Sequence, residues 1–185
     1  MPRRPIAAEY RFFFALLPPI ILARQIVQAM IPVARDGTMM QADRLHITLD
    51  ILRDFPTWPG SVVTRLLEIG AAISAAPFEI VLDQASGGAK SVALRPRRKN
   101  PLLETLYRDI ASRRAQAGLV PMDRTFSPHM TLAYDTGMPA SRPAGPFGWI
   151  AREFVLIHSH IGHTRHEVLG RWPLDGVHRG QLELF

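Results

Sequence analysis

Hydrophobic and polar positions along the chain follow two rhythms, and the switches between them outline the elements. Tyr10 to Leu17 (YRFFFALL) is a short, aromatic-rich run, the pattern of a buried strand. Pro18 and Pro19 end it. PIILARQIVQAMIPVA then carries Leu22, Ile26, Ala29 and Met30 at helical spacing. Proline is tolerated in a helix's first turn because no amide donor is needed there. RDGTMMQAD reads as a loop, RLHITLDIL as an alternating strand, and DFPTWPG breaks that strand. SVVTRLLEIGAAISAA predicts a second helix with Ser61 as its cap. FEIVLDQAS and KSVALRP read as two strands joined through a Gly-Gly turn. PLLETLYRDIASRRAQAG is the clearest helix, started by Pro101 and stopped by Gly118, with a stripe of Leu102, Leu103, Leu106, Tyr107 and Ile110. FSPHMTLAYD is again a strand, TGMPASRPAGPFG a long loop, REFVLIHSHIG a late strand, and HEVLGRWPLDG one more.

This order predicts an α+β fold with a largely antiparallel sheet. Each half holds helices and one strand of matching pattern, which suggests a structural duplication. The 185 residues suit a single domain, 1–185, with a sizeable core. Hydrophobic residues at 47% and charged residues at 21% are an ordinary globular balance. The absence of cysteine excludes disulfides, cysteine nucleophiles and thiolate metal sites, and agrees with a reducing, cytoplasmic setting. PRRP before FFFALLPPIIL imitates a signal peptide, but two prolines interrupt the apolar run, so it reads as a strand and a helix start. No apolar stretch is long enough to span a bilayer. The formal charge is +6, and Lys90 and Lys99 are the only lysines against 20 arginines. Such a surface favours anionic partners, since arginine's fork suits phosphate; a solvated basic surface without a partner explains the charge as well.

The chemistry lies in a repeat. LHITL, Leu45 to Leu49, recurs as PHMTL, Pro128 to Leu132. In a strand alternate side chains share a face and sit roughly 6.5–7 Å apart. His46 and Thr48 therefore point one way, with Leu45, Ile47 and Leu49 directed into a core. His129 and Thr131 share a face in the second copy, opposite Met130 and Leu132. Strands lying side by side would bring two imidazoles and two hydroxyls into one cleft. Imidazole has an ordinary pKa of about 6.5, so one ring can accept a proton while the other donates. Threonine hydroxyls can hold non-bridging phosphate oxygens. A cyclic phosphate needs that set: a proton leaves the attacking water and another reaches the departing ribose oxygen. Either motif alone is better explained as a core histidine; the two matched frames together favour catalysis. Zinc between His46 and His129 lacks a convincing third ligand.

LHITLDILRDF and FSPHMTLAYD resemble the two signatures of the two-histidine phosphoesterase superfamily, in particular its RNA 2′,3′-cyclic phosphodiesterase (2′-5′ RNA ligase-like) branch. RFFFALLPP and SHIG…VLGRWPL resemble that family's opening and closing segments. The resemblance implies two pseudo-symmetric lobes of antiparallel sheet, helices outside and a central cleft. It implies a monomeric enzyme without metal or other cofactor, acting on RNA ends or cyclic nucleotides. The reaction would be hydrolysis of a 2′,3′-cyclic phosphate to a 2′-phosphate, with reversible 2′-5′ ligation as a further capacity. Carried over, His46 would protonate the leaving 3′ oxygen, His129 would activate water, and Thr48 and Thr131 would hold the phosphate; the two histidine roles are exchangeable. Tyr134 stands where relatives often carry arginine, and His166 where the closing segment usually carries tyrosine. Arg124, close before His129, is a second substrate-binding candidate beside Tyr134. The competing readings are an RNA-binding module using the same cleft without turnover, and a phosphodiesterase for another cyclic or 2′-5′ linked nucleotide.

Three further features have ordinary explanations. HSHIGHTRH, with His158, His160, His163 and His166, reads as a strand end and polar turn rather than a metal site. RPRRKN, Arg95 to Asn100, reads equally as a phosphate-tracking loop or a solvated one. Phe55, Trp58 and Phe147 lie near the motifs and could stack a base, though core packing is the commoner fate of such rings.

Overall fold

The computed structural model describes residues 9–34, 38–87, 90–134 and 141–176. Among these, nine strands and three helices follow one another as β1 (Tyr10–Leu16), α1 (Ile20–Ala34), β2 (Thr38–Met39), β3 (Ile47–Ile51), α2 (Gly60–Ala72), β4 (Phe78–Gly87), β5 (Ser91–Arg95), α3 (Pro101–Gln116), β6 (Met130–Tyr134), β7 (Arg142–Ala151), β8 (Glu153–His160) and β9 (Arg165–Pro173). A 3-10 turn, Ala42–Arg44, leads into β3. All the strands belong to one sheet in the order β7-β4-β5-β6-β3-β1-β8-β9, with β2 alongside β6, and every pairing is antiparallel. The α+β, antiparallel expectation is met.

The two halves of that order repeat one plan. In one half β1 and β3 are neighbours connected through α1, and in the other β5 and β6 are neighbours connected through α3. A further antiparallel pair extends each half outward, β8 and β9 in one and β4 and β7 in the other. The halves meet where β3 and β6 run together, through the single registered pair Ile47↔Met130.

Sequence pattern and burial agree in most elements. α1 buries Ala23, Ile26 and Met30, a helical stripe that covers the sheet. Ala29, expected on that stripe, is exposed. α3 is capped by the Asn100 side chain, which accepts from the Leu103 amide, and carries Pro101 in its first turn. It buries Leu103, Leu106, Ile110 and Arg114, whereas Leu102 is 54% exposed and lies off the expected stripe. α2 begins at Gly60 after Pro59, with no side-chain cap, so Ser61 lies inside its first turn rather than capping it. The expected loop RDGTMMQAD contains β2 and the start of the 3-10 turn.

The largest correction is β7, which occupies 142–148 of the segment expected to be a loop, while 136–140 lie outside the described residues. Its prolines and glycines argue against a central strand, but β7 is an edge strand paired only with β4. At an edge, proline's missing amide donor costs no ladder bond when it faces outward. The second glycine of the expected Gly-Gly turn, Gly88, lies outside the described residues.

The sheet has two unlike faces. Phe12, Phe14 and Leu16 of β1 join the main core with Ile47, Leu66, Leu82, Leu106, Met130 and Leu156. Phe13 and Ala15, pointing the other way, form a small separate patch with Ile51, Val155 and Ile157. The site is built on the face of that smaller patch.

Candidate active site

The residues of the two repeats sit where alternation puts them. Leu45, Ile47 and Leu49 are 1%, 0% and 3% exposed, and Met130 and Leu132 are 0% and 1%, so the apolar members of both motifs are in the core. His46, Thr48, His129 and Thr131 are each partly accessible on the opposite face. Continuing the antiparallel register from Ile47↔Met130 sets His46 opposite Thr131 and Thr48 opposite His129. The seam between the halves thus carries two imidazoles and two hydroxyls on one face.

Both strands are interrupted at the same place. Phe14 pairs with Asp50 but Ala15 with Thr48, leaving Leu49 as an extra residue. Val92 pairs with Ala133 but Ala93 with Thr131, leaving Leu132 extra. A bulge shifts the alternation by one residue beyond it. Ile51 therefore joins the small patch with Phe13 instead of following Leu49 into the main core. The same shift brings Tyr134, otherwise opposite in parity to Thr131, to Thr131's face.

Each catalytic candidate has its ring fixed in the same way. His46 Nδ1 lies 2.7 Å from the Arg44 carbonyl oxygen, and His129 Nδ1 lies 2.7 Å from that of Ser127. A carbonyl can only accept, so both rings carry their proton on Nδ1 and leave Nε2 free as the working nitrogen. His46 also stacks on Phe13, with ring centroids 4.9 Å apart. Before His129, Phe126 lies flat on Tyr107 of α3, centroids 4.0 Å apart, which anchors the approach to β6.

The surroundings are cationic. Desolvation pushes His46 down to about 4, and the nearby charges of His129, Arg44 and Arg124 act in the same direction against the Arg44 carbonyl. His129 is lowered chiefly by burial, then by Arg95 and Arg124. Both rings are neutral at pH 7 in the free protein. Arg95 is held by two hydroxyls, Nε to Ser86 Oγ at 2.7 Å and Nη1 to Ser127 Oγ at 2.9 Å, so its charge is not taken up by a carboxylate there. Among the described residues, no set of three potential metal ligands includes His46 or His129.

Arg124 is exposed, and its charge reaches both histidines. Tyr134 is 49% exposed and lines a cavity of about 450 Å³ with Arg11, Arg44, Ser159 and His160. Tyr134 therefore borders two arginines, Arg11 and Arg44, from elsewhere in the chain. Phe55 and Trp58 are not beside the histidines of the seam. They pack on Phe12, with centroids 6.0 and 5.6 Å from it, on the main-core side. Phe147, in β7, packs against the main core.

Sequence reasoning did not place Arg44, Phe13 or His166 in this site. His166 sits 5.3 Å from His46, ring to ring, and 5.6 Å from Phe13. Its Nε2 is 3.4 Å from Arg44 Nη2 and accepts from it. Burial, followed by the charges of His46 and Arg44, pushes His166 down to about 4. The one signal for it was its unusual identity in the closing segment.

Known proteins resemble this chain in sequence and in overall fold. Residues 18–145, which contain both histidine motifs, match the 2′-5′ RNA ligase superfamily. The chain belongs to that superfamily. It is 30% identical over 172 residues to the RNA 2′,3′-cyclic phosphodiesterase of Escherichia coli strain K12, spanning 89% of this chain and 96% of that protein. The structure of E. coli LigT complexed with 3′-AMP superposes with a TM-score of 0.78 at 27% identity, covering 90% of this chain and 98% of that one. TT0787 of Thermus thermophilus shares the fold, with a TM-score of 0.74 at 21% identity, covering 91% of this chain and all of that one. The superfamily's fold is therefore that of this chain.

Proposed function

We propose that this superfamily member hydrolyses 2′,3′-cyclic phosphate ends of RNA to 2′-phosphates by paired-histidine acid–base catalysis. The observation that supports the reading most is the matched pair of His-x-Thr strands meeting at one register pair, each ring tethered through Nδ1 to a carbonyl. The similarity to the E. coli phosphodiesterase supports the substrate class.

In this reading the cyclic phosphate lies over the β3–β6 seam. Thr48 and Thr131 donate their hydroxyls to the non-bridging oxygens. One free Nε2 takes a proton from water as the water oxygen bonds to phosphorus. The other imidazole, protonated, gives its proton to O3′ as the P–O3′ bond breaks. His46 is assigned the donor role and His129 the base. The products are a 2′-phosphate and a 3′-hydroxyl, and a further proton exchange restores both rings. A phosphate anion beside the rings raises their proton affinity, which readies a donor in a site whose rings are both neutral in the free protein. Arg124 and Tyr134 are assigned to substrate binding at the rim. Arg95 holds Ser127, whose carbonyl in turn holds His129. With a ribose 5′-hydroxyl in place of water as the attacking group, the same proton transfers form the P–O5′ bond as P–O3′ breaks and give 2′-5′ ligation; the reverse of that step returns the cyclic phosphate and the 5′-hydroxyl.

Both histidines come from one chain, so the reading treats the monomer, and residues 1–185 as one two-lobed domain, as the working unit. His46→Ala and His129→Ala should each lower turnover of a nucleoside 2′,3′-cyclic phosphate by at least ~10²–10⁴-fold while circular dichroism and thermal midpoint stay near wild type. Undiminished turnover by either folded variant would overturn the proposal. Salt-sensitive RNA binding with no product from the wild-type protein would favour a binding module instead.

A further inference from the structure

We propose that the outer hairpin of the sheet, β8–β9, holds a zinc-type divalent transition-metal ion on His158, His160 and Glu167. His158 and His160 are two apart on β8 and so share a face. Glu167 lies directly across from His158 in the hairpin register, on the same face. His160 Nε2 is 3.2 Å and His158 Nδ1 is 3.8 Å from Glu167 Oε2. One ligand atom from each of the three residues falls within 4.8 Å of the other two. Ligands bonded to tetrahedral zinc at ~2.0–2.1 Å lie about 3.3 Å apart. The set is therefore nearly closed around an ion already, and small rotations of the exposed Glu167 and the less exposed His160 would complete it.

The second observation is His158 itself. Its side chain is 2% exposed, yet neither ring nitrogen has a hydrogen-bond partner among the described residues. Tyr10 and Phe12 stack against it at 5.5 and 5.1 Å, and Trp58 meets it edge-on at 5.4 Å. Those walls offer no acceptor to the ring, and a buried unpaired polar group needs a reason. An ion bound by Nδ1 supplies one for that nitrogen.

Two imidazoles and one carboxylate suit zinc, cobalt or nickel, whereas magnesium and calcium prefer oxygen alone. Three protein ligands leave a fourth position for water. Arg165 Nη2 lies 3.9 Å from Glu167 Oε2, and that exposed side chain is free to swing away. His158 and Glu167 project from the face opposite the seam, Glu167 being on the far side of β9 from His166, its neighbour in sequence, and His160 at the end of β8 also borders the Tyr134 cavity. The ion would therefore act as a clamp holding the two strands in register, independent of the phosphodiesterase reading.

The test uses full-length protein without a histidine tag, stripped with chelator, titrated with Zn²⁺ by calorimetry and with Co²⁺ by visible absorption. One equivalent should bind, the thermal midpoint should rise, and Co²⁺ should show ligand-field bands of a low-coordinate nitrogen–oxygen site. His160→Gln and Glu167→Gln, at positions outside the core, should each weaken binding roughly tenfold or more. His158→Phe, which keeps an aromatic ring in the slot, should do the same. His129→Ala should bind as wild type. The absence of one-to-one binding, or wild-type affinity in both Gln variants, or loss of binding only in His129→Ala, would overturn the site.

Discussion

At the scale of single residues, the candidate site is two copies of one device. Each histidine is tethered two residues upstream, and each threonine stands one alternate position beyond. The hydroxyls are the less familiar half, and their role can be separated from the rings'. Thr48→Val and Thr131→Val keep the branched shape but remove the donor. A hydrogen bond to a charged group contributes about 1.5–3 kcal/mol, so each change should lower kcat/KM by roughly 10- to 150-fold. Thr→Ser at the same positions should recover most of that, as steady-state kinetics on a cyclic nucleotide would show. All four residues were legible in the sequence, because period-two alternation in a strand is local and needs no partner. Arg44, Phe13 and His166 were not. They reach His46 from a 3-10 turn, a neighbouring strand and a hairpin far along the chain, and nothing local marks such an approach.

At the scale of elements, the motif strands are fixed from behind as well as alongside. α1 packs against β6, and α3 against β3, so each half's helix supports the other half's motif. The α3–β3 contact includes a buried ion pair, Arg114 Nε on Asp50 Oδ2, with Arg114 Nη1 also donating to the Leu119 carbonyl at 3.0 Å. Asp50 comes two residues after Thr48, and burial raises its pKa although Arg114 pulls it back. Removing one partner leaves a buried charge uncompensated. Asp50→Ala should therefore cost about 3–5 kcal/mol in urea unfolding. The double replacement Asp50→Leu with Arg114→Leu should be less damaging than the sum of the singles, because no charge is left stranded. The hydrophobic rhythm revealed the three helices and most strands, since burial of a stripe or of alternate residues is written in composition. β7 was hidden because its prolines and glycines are acceptable only at a sheet edge, and edge position is a property of the whole sheet.

For the whole molecule, setting the two motif histidines among buried and cationic surroundings has a consequence in acid. His46 titrates at about 4 in the folded chain, and His129 is also lowered. In the unfolded chain both return toward about 6.5. The folded state thus binds fewer protons between those values, and stability rises with pH there. This contribution is complete above about 6.5 and is lost as pH falls toward 4. Thermal midpoints measured in chelator should drop steadily from about pH 7 to about pH 4, and His46→Gln should flatten part of that fall. Asp50 pulls the other way near the acid end, because its raised pKa favours the folded state on protonation.

The amino-acid order alone determined the alternation of the two motif strands, the antiparallel α+β class and the pairing of imidazole with hydroxyl, since each follows from side-chain direction over a few residues. Tertiary structure alone decided the matched bulges at Leu49 and Leu132, and the edge position of β7. It also decided the approach of His166 to His46 and the meeting of Glu167 with His158 and His160. The carboxylate in that last group was present in the sequence all along, on the other strand of a hairpin from its partners. Only the β8–β9 register places it across from His158. Register is set by the summed packing of every strand in the sheet, and no short stretch of sequence contains it.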